Sequence, residues 1–359
     1  MDKQTLSNYG WLTIVTLILA VMLALATPFG AYIGDAVVSV ANGFVGASNE
    51  AIDEDNIAVN EDKWDSKFDY SMLENNSNTK YECDDYSHQF DGIDDMTCNL
   101  CGKEFVNGYA IFEWDRIGYD GSPDLRIKKT YHEDGVDYKL TDLSSSFKNN
   151  SKIKNVWVPN TINTLFDSTF SSSTIETIVF EENATLKELK STFYMCQNLK
   201  SIVIPNSVKS SSYTFYGCSS LTSVSFEENS QIESLGHYDF YNTSIETITL
   251  PKSLKRIAGA NNQNIYGTFQ NCVKLTSVRF EEGCELEMIG RQAFDGCSAL
   301  ESINIPKTVT TIANYAFEDC TSLKDVYYEG TPEEWAQISI GNSNNCLTNA
   351  TIHYNSYGN

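Results

Sequence analysis

LESINIP at residues 300–306, followed by AFEDCTSL at 316–323, decides the fold. Its apolar residues fall at Leu300, Ile303 and Ile305, Pro306 ends the run, and Phe317 is followed three residues later by Cys320 and then by Leu323. Alone, this is a short strand and a turn. Its weight lies in recurrence. The same apolar core stands at Ile153/Val156/Val158, Ile175/Ile178/Phe180, Leu199/Ile202/Ile204, Leu221/Val224/Phe226, Ile245/Ile248/Leu250, Leu275/Val278/Phe280 and Leu323/Val326/Tyr328. Successive copies start 22 to 30 residues apart, the longest gap holding an insertion at 258–266 (AGANNQNIY). A fixed period of this length marks a solenoid, whose units are too small to bury their own apolar faces and stack on one another. A degenerate earlier copy runs from Leu125 and Ile127 through Leu140, Leu143 and Phe147.

The copies alternate in how they end. Four exit through Pro159, Pro205, Pro251 and Pro306, and the others through Glu181-Glu182, Glu227-Glu228, Glu281-Glu282 and Glu329. Proline has no N–H to donate to a ladder, so the repeating unit is a pair of coils. Most copies also carry a Phe followed three residues later by Cys: Phe193/Cys196, Phe215/Cys218, Phe269/Cys272, Phe294/Cys297 and Phe317/Cys320. Phe170 is followed instead by Ser173, and Phe240 by Thr243.

The pattern I-x-I-P…I-x-x-x-A-F-x-x-C-x-x-L resembles the BspA-type (treponemal-type) leucine-rich repeat of surface proteins. The ending from Val326 through Trp335 to Tyr354 looks like that family's C-terminal cap. The resemblance covers roughly 230 residues, and its motifs recur in register. It implies an α+β or β solenoid: a leucine-rich-repeat right-handed superhelix with one parallel sheet, preceded by an N-terminal hydrophobic helix. It also implies adhesion or recognition at a cell surface. The expected organisation is a hydrophobic anchor or signal segment at 1–46, an acidic linker at 47–80 and a small Cys/His module at 81–105. A capping region at 106–152, the repeats at 153–330 and a C-terminal cap at 331–359 follow.

No charged residue occurs between Gln4 and Gly34. Residues 11–33 reach the length of a membrane crossing. Ala24-Leu25-Ala26 fits a signal-peptide cleavage site, so a membrane anchor and a secreted form stand as alternatives. The segment NYGW…ALATPFG resembles a short hydrophobic module at the front of secreted proteins of Gram-positive gut-type bacteria, which implies export. The charge balance agrees with an outside location. Lys+Arg number 25 against 48 Asp+Glu, a net charge of −23, which repels nucleic acid.

Cys83, His88, Cys98 and Cys101 form a C-x4-H-x9-C-x2-C-G pattern. It looks like a small zinc-ribbon or knuckle module, and a tetrahedral Cys3His set would be structural, with no open coordination position. A Cys98–Cys101 disulfide with Cys83 as a simple thiol is the alternative outside a cell.

The remaining chemistry-bearing residues read as architecture. The Phe-x-x-Cys thiols sit at one interior position of each coil, where Cys acts as a small hydrophobe. Cys284 and Cys346 lie off that register and read as surface or turn residues. The glutamate pairs recur on every second coil, about 10 Å apart, and read as a solvated acidic rim. No histidine recurs in the repeats and no G-x-S-x-G occurs, so no nucleophilic triad is expected. The chain is expected not to be an enzyme.

Binding is expected on the outer face of the sheet, at residues such as Asn155, Thr177/Val179, Ser201/Val203 and Thr247/Thr249. Trp157, Arg279 and Tyr327 are the strongest candidates, since aromatics and Arg carry interface energy. The expected partner is an extracellular protein or glycan, with the membrane reached through residues 11–33. The alternatives are an envelope spacer without a ligand and, from another class, a zinc-dependent enzyme at residues 83–101.

Overall fold

The computed structural model describes residues 84–90, 96–100, 103–111, 114–257 and 267–356. The expected membrane segment, the linker, Cys83, Cys101 and the insertion at 258–266 lie outside these residues. Among the described residues no helix is long and apolar enough to cross a membrane.

The chain is a solenoid of parallel strands. The apolar-x-x-apolar-x-apolar cores form β5 (Asn155–Val158), β7 (Thr177–Phe180), β9 (Ser201–Ile204), β11 (Ser223–Phe226), β13 (Thr247–Leu250), β15 (Ser277–Phe280), β17 (Ser302–Ile305) and β19 (Asp325–Tyr328). The degenerate copy contributes β2 (Asp124–Arg126) ahead of β5, and β21 (Thr351–Tyr354) follows β19. Alternate residues point inward, as the period of two dictates. Val156, Ile178, Ile202, Val224, Ile248, Val278, Ile303 and Val326 are all buried.

The single expected sheet is one wall of two, and among the described residues its ladder runs in three groups, β2-β5-β7, β9-β11 and β13 to β21. Each coil returns through a second strand of only two or three residues: β6 (Thr164–Leu165), β8 (Glu188–Lys190), β10 (Ser210–Ser212), β12 (Ser234–Leu235), β14 (Arg256–Ile257), β16 (Met288–Ile289), β18 (Thr311–Ile312) and β20 (Ser339–Ile340). From β8 to β20 these form a continuous parallel ladder. One inward Leu or Ile per strand fills the core, at Leu189, Leu235, Ile257, Ile289 and Ile312. Runs this short leave no alternation to read in the sequence.

The return is otherwise made of turns. Two residues per turn adopt a left-handed backbone, for example Ser191 and Met195, Tyr213 and Gly217, or Tyr315 and Asp319. These positions hold no β-branched residue, since that conformation crowds a branched Cβ. Among the described residues helix is confined to single turns: α1 (Trp114–Ile117) before the repeats, and α2 (Pro332–Trp335) and α3 (Asn345–Thr348) after them.

The core is a set of columns. Phe147, Phe170, Phe193, Phe215, Phe240, Phe269, Phe294 and Phe317 are fully buried. They stack ring on ring with centroids 5.0–5.8 Å apart. Beside them each ladder cysteine donates its S–H to the carbonyl of the preceding coil's Phe. Cys196 reaches Phe170 at 3.0 Å, Cys218 reaches Phe193 at 3.1 Å, and Cys272 reaches Phe240 at 3.0 Å. Cys297 and Cys320 repeat the bond to Phe269 and Phe294. The column therefore selects a small side chain with a donor, a property shared by Ser173 and Thr243.

Both ends are covered. At the start β1 (Val106–Ile111), β3 (Thr130–Glu133) and β4 (Val136–Ser144) form a sheet that β6 joins through β4. At the end Asn344, almost fully buried, accepts the Phe317 N–H at 2.9 Å. In preceding coils that N–H goes to the next coil's backbone, as in Phe294 to Ala316 O. Asn344 thus supplies the carbonyl of a coil that is not there.

Candidate functional site

The outward face of the strand sheet carries two rows. One runs Asp124, Asn155, Thr177, Ser201, Ser223, Thr247, Ser277, Ser302, Asp325, Thr351. It is tied locally by Asn155 Nδ2 to Asp124 Oδ1 (2.6 Å) and Thr177 Oγ1 to Asn155 Oδ1 (2.6 Å). The other row runs Arg126, Trp157, Val179, Val203, Ser225, Thr249, Arg279, Asn304, Tyr327, His353. Val179 and Val203 stay 44% and 38% exposed, an apolar stripe beside a row of hydroxyls.

The three expected binding residues share that second row but do not converge. Trp157 and Arg279 are five strands apart, roughly 24 Å at ladder spacing. Trp157 already has an intramolecular partner, since the Arg126 guanidinium lies 4.8 Å from its ring and 5.4 Å from that of Tyr86. This Tyr86–Arg126–Trp157 sandwich closes the first coil. Tyr327 stacks on His353 at 4.8 Å, and His353 bonds Asp325 at 2.8 Å. Arg279 stands exposed at the middle of the row, opposite Thr249.

Of the Cys/His set, His88 and Cys98 fall within the described residues, and both are buried. The Cys98 sulphur accepts the Gln89 N–H at 3.5 Å, the opposite polarity to the repeat cysteines. A tight turn follows, closed by Cys98 N to Lys103 O (2.9 Å) and flanked by a Thr97–Glu104 bridge. Among the described residues the local apolar core is Cys98 and Phe105, with Phe90 and Leu100 against it. Burial holds the His88 imidazole below its usual pKa, with Lys103 adding to the effect. Asp85 docks the segment by accepting the backbone N–H groups of Lys129 (2.8 Å) and Thr130 (3.1 Å).

Two expectations are corrected. Cys284 is buried, not a surface residue, with its S–H directed at the Pro251 and Leu254 carbonyls. It occupies the inward position that Ala184 fills four coils earlier. Cys346 is half-buried in α3. The acidic rim is also more than solvated charge. Glu181, Glu227, Glu281 and Glu329 each reach back one coil to accept the N–H after the proline, at Asn160, Asn206, Lys252 and Lys307. Only the second glutamate of each pair matches the expected rim.

The ladder thiols are chemically quiet. Burial pushes Cys196, Cys272 and Cys284 to about 11 and lifts Cys218 and Cys297 well above the ordinary thiol. A protonated thiol is a poor nucleophile and a poor ligand.

One feature escaped the sequence reading. Tyr194, Tyr216 and Tyr241, each directly after a column Phe, stack at 4.7 Å with rings within 10° of parallel. Tyr238 packs edge-on against both Tyr216 and Tyr241, and Tyr213 stacks on His237. The signal was the Phe-Tyr pair repeated in three successive coils.

A family model described as the BspA type leucine-rich-repeat region matches six copies, over residues 139–191, 187–264 and 260–357. The chain belongs to the BspA-type leucine-rich-repeat family. Among solved structures, BspA-type coils of this chain align with pneumococcal vaccine antigen PcpA at 19% identity, covering 66% of this chain and 79% of that one, TM-score 0.39. A leucine-rich cell surface protein of Faecalibacterium prausnitzii A2-165 aligns at 18% identity over 74% and 98% of the two chains, TM-score 0.31. The T. pallidum leucine-rich-repeat protein aligns at 24% identity over 45% and 70%, TM-score 0.37. Among curated protein sequences none matches significantly. The BspA-type assignment therefore rests on the repeats, and the Cys/His segment lies outside the matched residues.

Proposed function

We propose that this chain is a non-enzymatic cell-surface recognition protein, held at or exported through the membrane by residues 11–33, that takes an extracellular protein or glycan on its outward strand face. The exposed Val179–Val203 stripe supports this reading best. The two valines, 44% and 38% exposed, stand on successive strands beside a hydroxyl row, an apolar stripe that a partner would cover. Arg279 and Tyr327 extend the same row; Trp157 contributes through its edge, its ring being held by Arg126. The test is an array of extracellular proteins and glycans probed with the full-length chain. A saturable ligand lost in Val179→Lys/Val203→Lys supports recognition at this face. Absence of any ligand returns the repeats to a spacer role.

We also infer that Cys83, His88, Cys98 and Cys101 hold a structural zinc ion. Cys98 and Phe105 are the buried apolar residues in the described part of this segment, a small core on which to order it. A backbone N–H directed at the Cys98 sulphur suits a thiolate ligand. Metal analysis of the full-length chain should find about one zinc per molecule, lost in Cys98→Ser. Zinc content unchanged by that substitution would refute the site.

A further inference from the structure

The outward strand face is not the only surface built for contact. On the turn edge of the coils the residues directly after the column phenylalanines form a ladder of their own. Tyr194, Tyr216, Tyr241, Gln270, Asp295 and Glu318 follow one another coil by coil, fixed by backbone bonds from the turn of each preceding coil. Met195 N reaches Tyr216 O, Gly217 N reaches Tyr241 O, Asn242 N reaches Gln270 O, and Gly296 N reaches Glu318 O. The first half of this ladder is phenolic and the second half is acidic.

The chemistry of the edge narrows its occupant. Both faces of the middle ring, Tyr216, are covered by Tyr194 and Tyr241 at 4.7 Å, so a sugar ring cannot stack along the ladder. What remains exposed is a strip of ring edges and phenolic oxygens. Ring edges cover the aliphatic stems of long side chains, and the oxygens accept hydrogen bonds. Further along, Gln270 and Gln292 hold Asp295 at 2.7 and 3.0 Å. The nearby cation, Arg291, lies over the Tyr315 ring at 4.9 Å and offsets the charge around Glu318 only in part. The carboxyls of Asp295 and Glu318 are both raised above their usual range, by desolvation first and then by acidic neighbours that include Asp319. This end of the edge carries crowded negative charge, and a cation would relieve it.

We propose that the Tyr194–Glu318 edge docks an extended, cationic segment of a partner protein. Its aliphatic stems lie along the tyrosine edges, and its guanidinium or ammonium groups meet Asp295, Glu318 and Asp319. Tyr194 to Glu318 is five coil steps, roughly 24 Å, the reach of about seven or eight extended residues. The surface differs from the strand face, so the two readings stand or fall separately.

The test uses the full-length chain and a labelled eight-residue peptide of alternating Arg and Ala, with alternating Glu and Ala as control. Binding is expected to be saturable, salt-sensitive and at least tenfold weaker in Asp295→Asn/Glu318→Gln/Asp319→Asn. It is expected to be unchanged in Glu182→Gln/Glu228→Gln/Glu282→Gln, which removes equal charge elsewhere. Hydroxyl-radical footprinting of the unaltered chain should show Tyr194, Tyr216 and Tyr241 protected by the peptide, which tests the aromatic half without any substitution. Equal weakening in both charge variants would reduce the effect to the general acidity of the chain. Loss in the first variant without tyrosine protection would overturn the docking mode.

Discussion

At the scale of single residues, two successive coils depart from their neighbours, one at Ser211 and the next at Asp239. Ser211 stands in a column of Leu and Ile, and Asp239 in a column otherwise filled by Thr and Ala. Both are buried, and each supplies the other's partner, the Ser211 hydroxyl donating to the Asp239 carboxyl while the Thr214 N–H donates to it at 2.9 Å. Burial nonetheless pushes Asp239 up from 3.8 to about 6. The folded chain then binds this proton more tightly than the unfolded chain. Its contribution to stability is complete below about pH 4 and is lost as pH rises through 6. Asp239→Asn keeps an acceptor for Thr214 and removes the charge. Urea titrations should show it more stable than the parent at pH 8, by up to about 3 kcal/mol, and no more stable at pH 4. A parent chain equally stable at both pH values would contradict this.

The cysteine column yields a second prediction at the same scale. Cys218→Ser should be tolerated, because Ser173 and Thr243 already serve there. Cys218→Val should cost about 0.5–1.5 kcal/mol by removing the S–H bond to the Phe193 carbonyl, which keeps the Cys196 N–H. Phenylalanines and cysteines were legible in the sequence because each falls once per coil. The Ser211–Asp239 pair was not, since nothing in a one-dimensional pattern links two exceptions 28 residues apart.

At the scale of strands, the alternation of proline and glutamate exits has a hydrogen-bonding cause. Glu227 N donates to Ile204 O, and Glu181, Glu281 and Glu329 repeat the bond to Val158, Leu250 and Ile305. Each proline-exit strand is thereby zipped to the glutamate-exit strand after it, as β5 to β7, β9 to β11, β13 to β15 and β17 to β19. A proline cannot return the favour. Pro205 and Pro251 have no N–H for the coil before them, and the ladder is interrupted between β7 and β9 and between β11 and β13. Glu227→Ala should cost about 1–2 kcal/mol by orphaning the Asn206 N–H, read as a lower urea midpoint. Hydrogen exchange should be faster for the β9 amides than for those of β11. The exits themselves were plain in the sequence. The glutamate side chains reaching back a coil were not, and neither was the second ladder, whose two-residue strands hold no periodic signal.

At the scale of the molecule, stability is a sum over coils and their contacts, provided both ends are covered. Removing residues 205–250, one full proline-to-proline unit, should leave a folded and shorter solenoid with native-like circular dichroism. Removing 205–226 alone would place two glutamate-exit coils in succession, and that variant should melt at a lower temperature. Asn344→Ala should destabilise the C-terminal coils by about 1–3 kcal/mol, since the Phe317 N–H then has no acceptor. The family, the coil boundaries and the cap were all carried by repetition in the sequence. The use of Trp157 in closing the first coil was not, because Tyr86 and Arg126 precede the repeats and obey no period.

The interrupted strand ladder matters most if this solenoid is ever pulled. A chain tethered at one end and holding a partner at the other carries load along its length. With one wall unstitched between β7 and β9 and between β11 and β13, and the opposite wall continuous from β8 to β20, rupture would start at those two seams and release the two coils between them as a unit. That release would yield roughly 150 Å of slack at about 3.4 Å per residue, so the protein would lengthen in a step like a load-limiting strap before its tether or its grip failed.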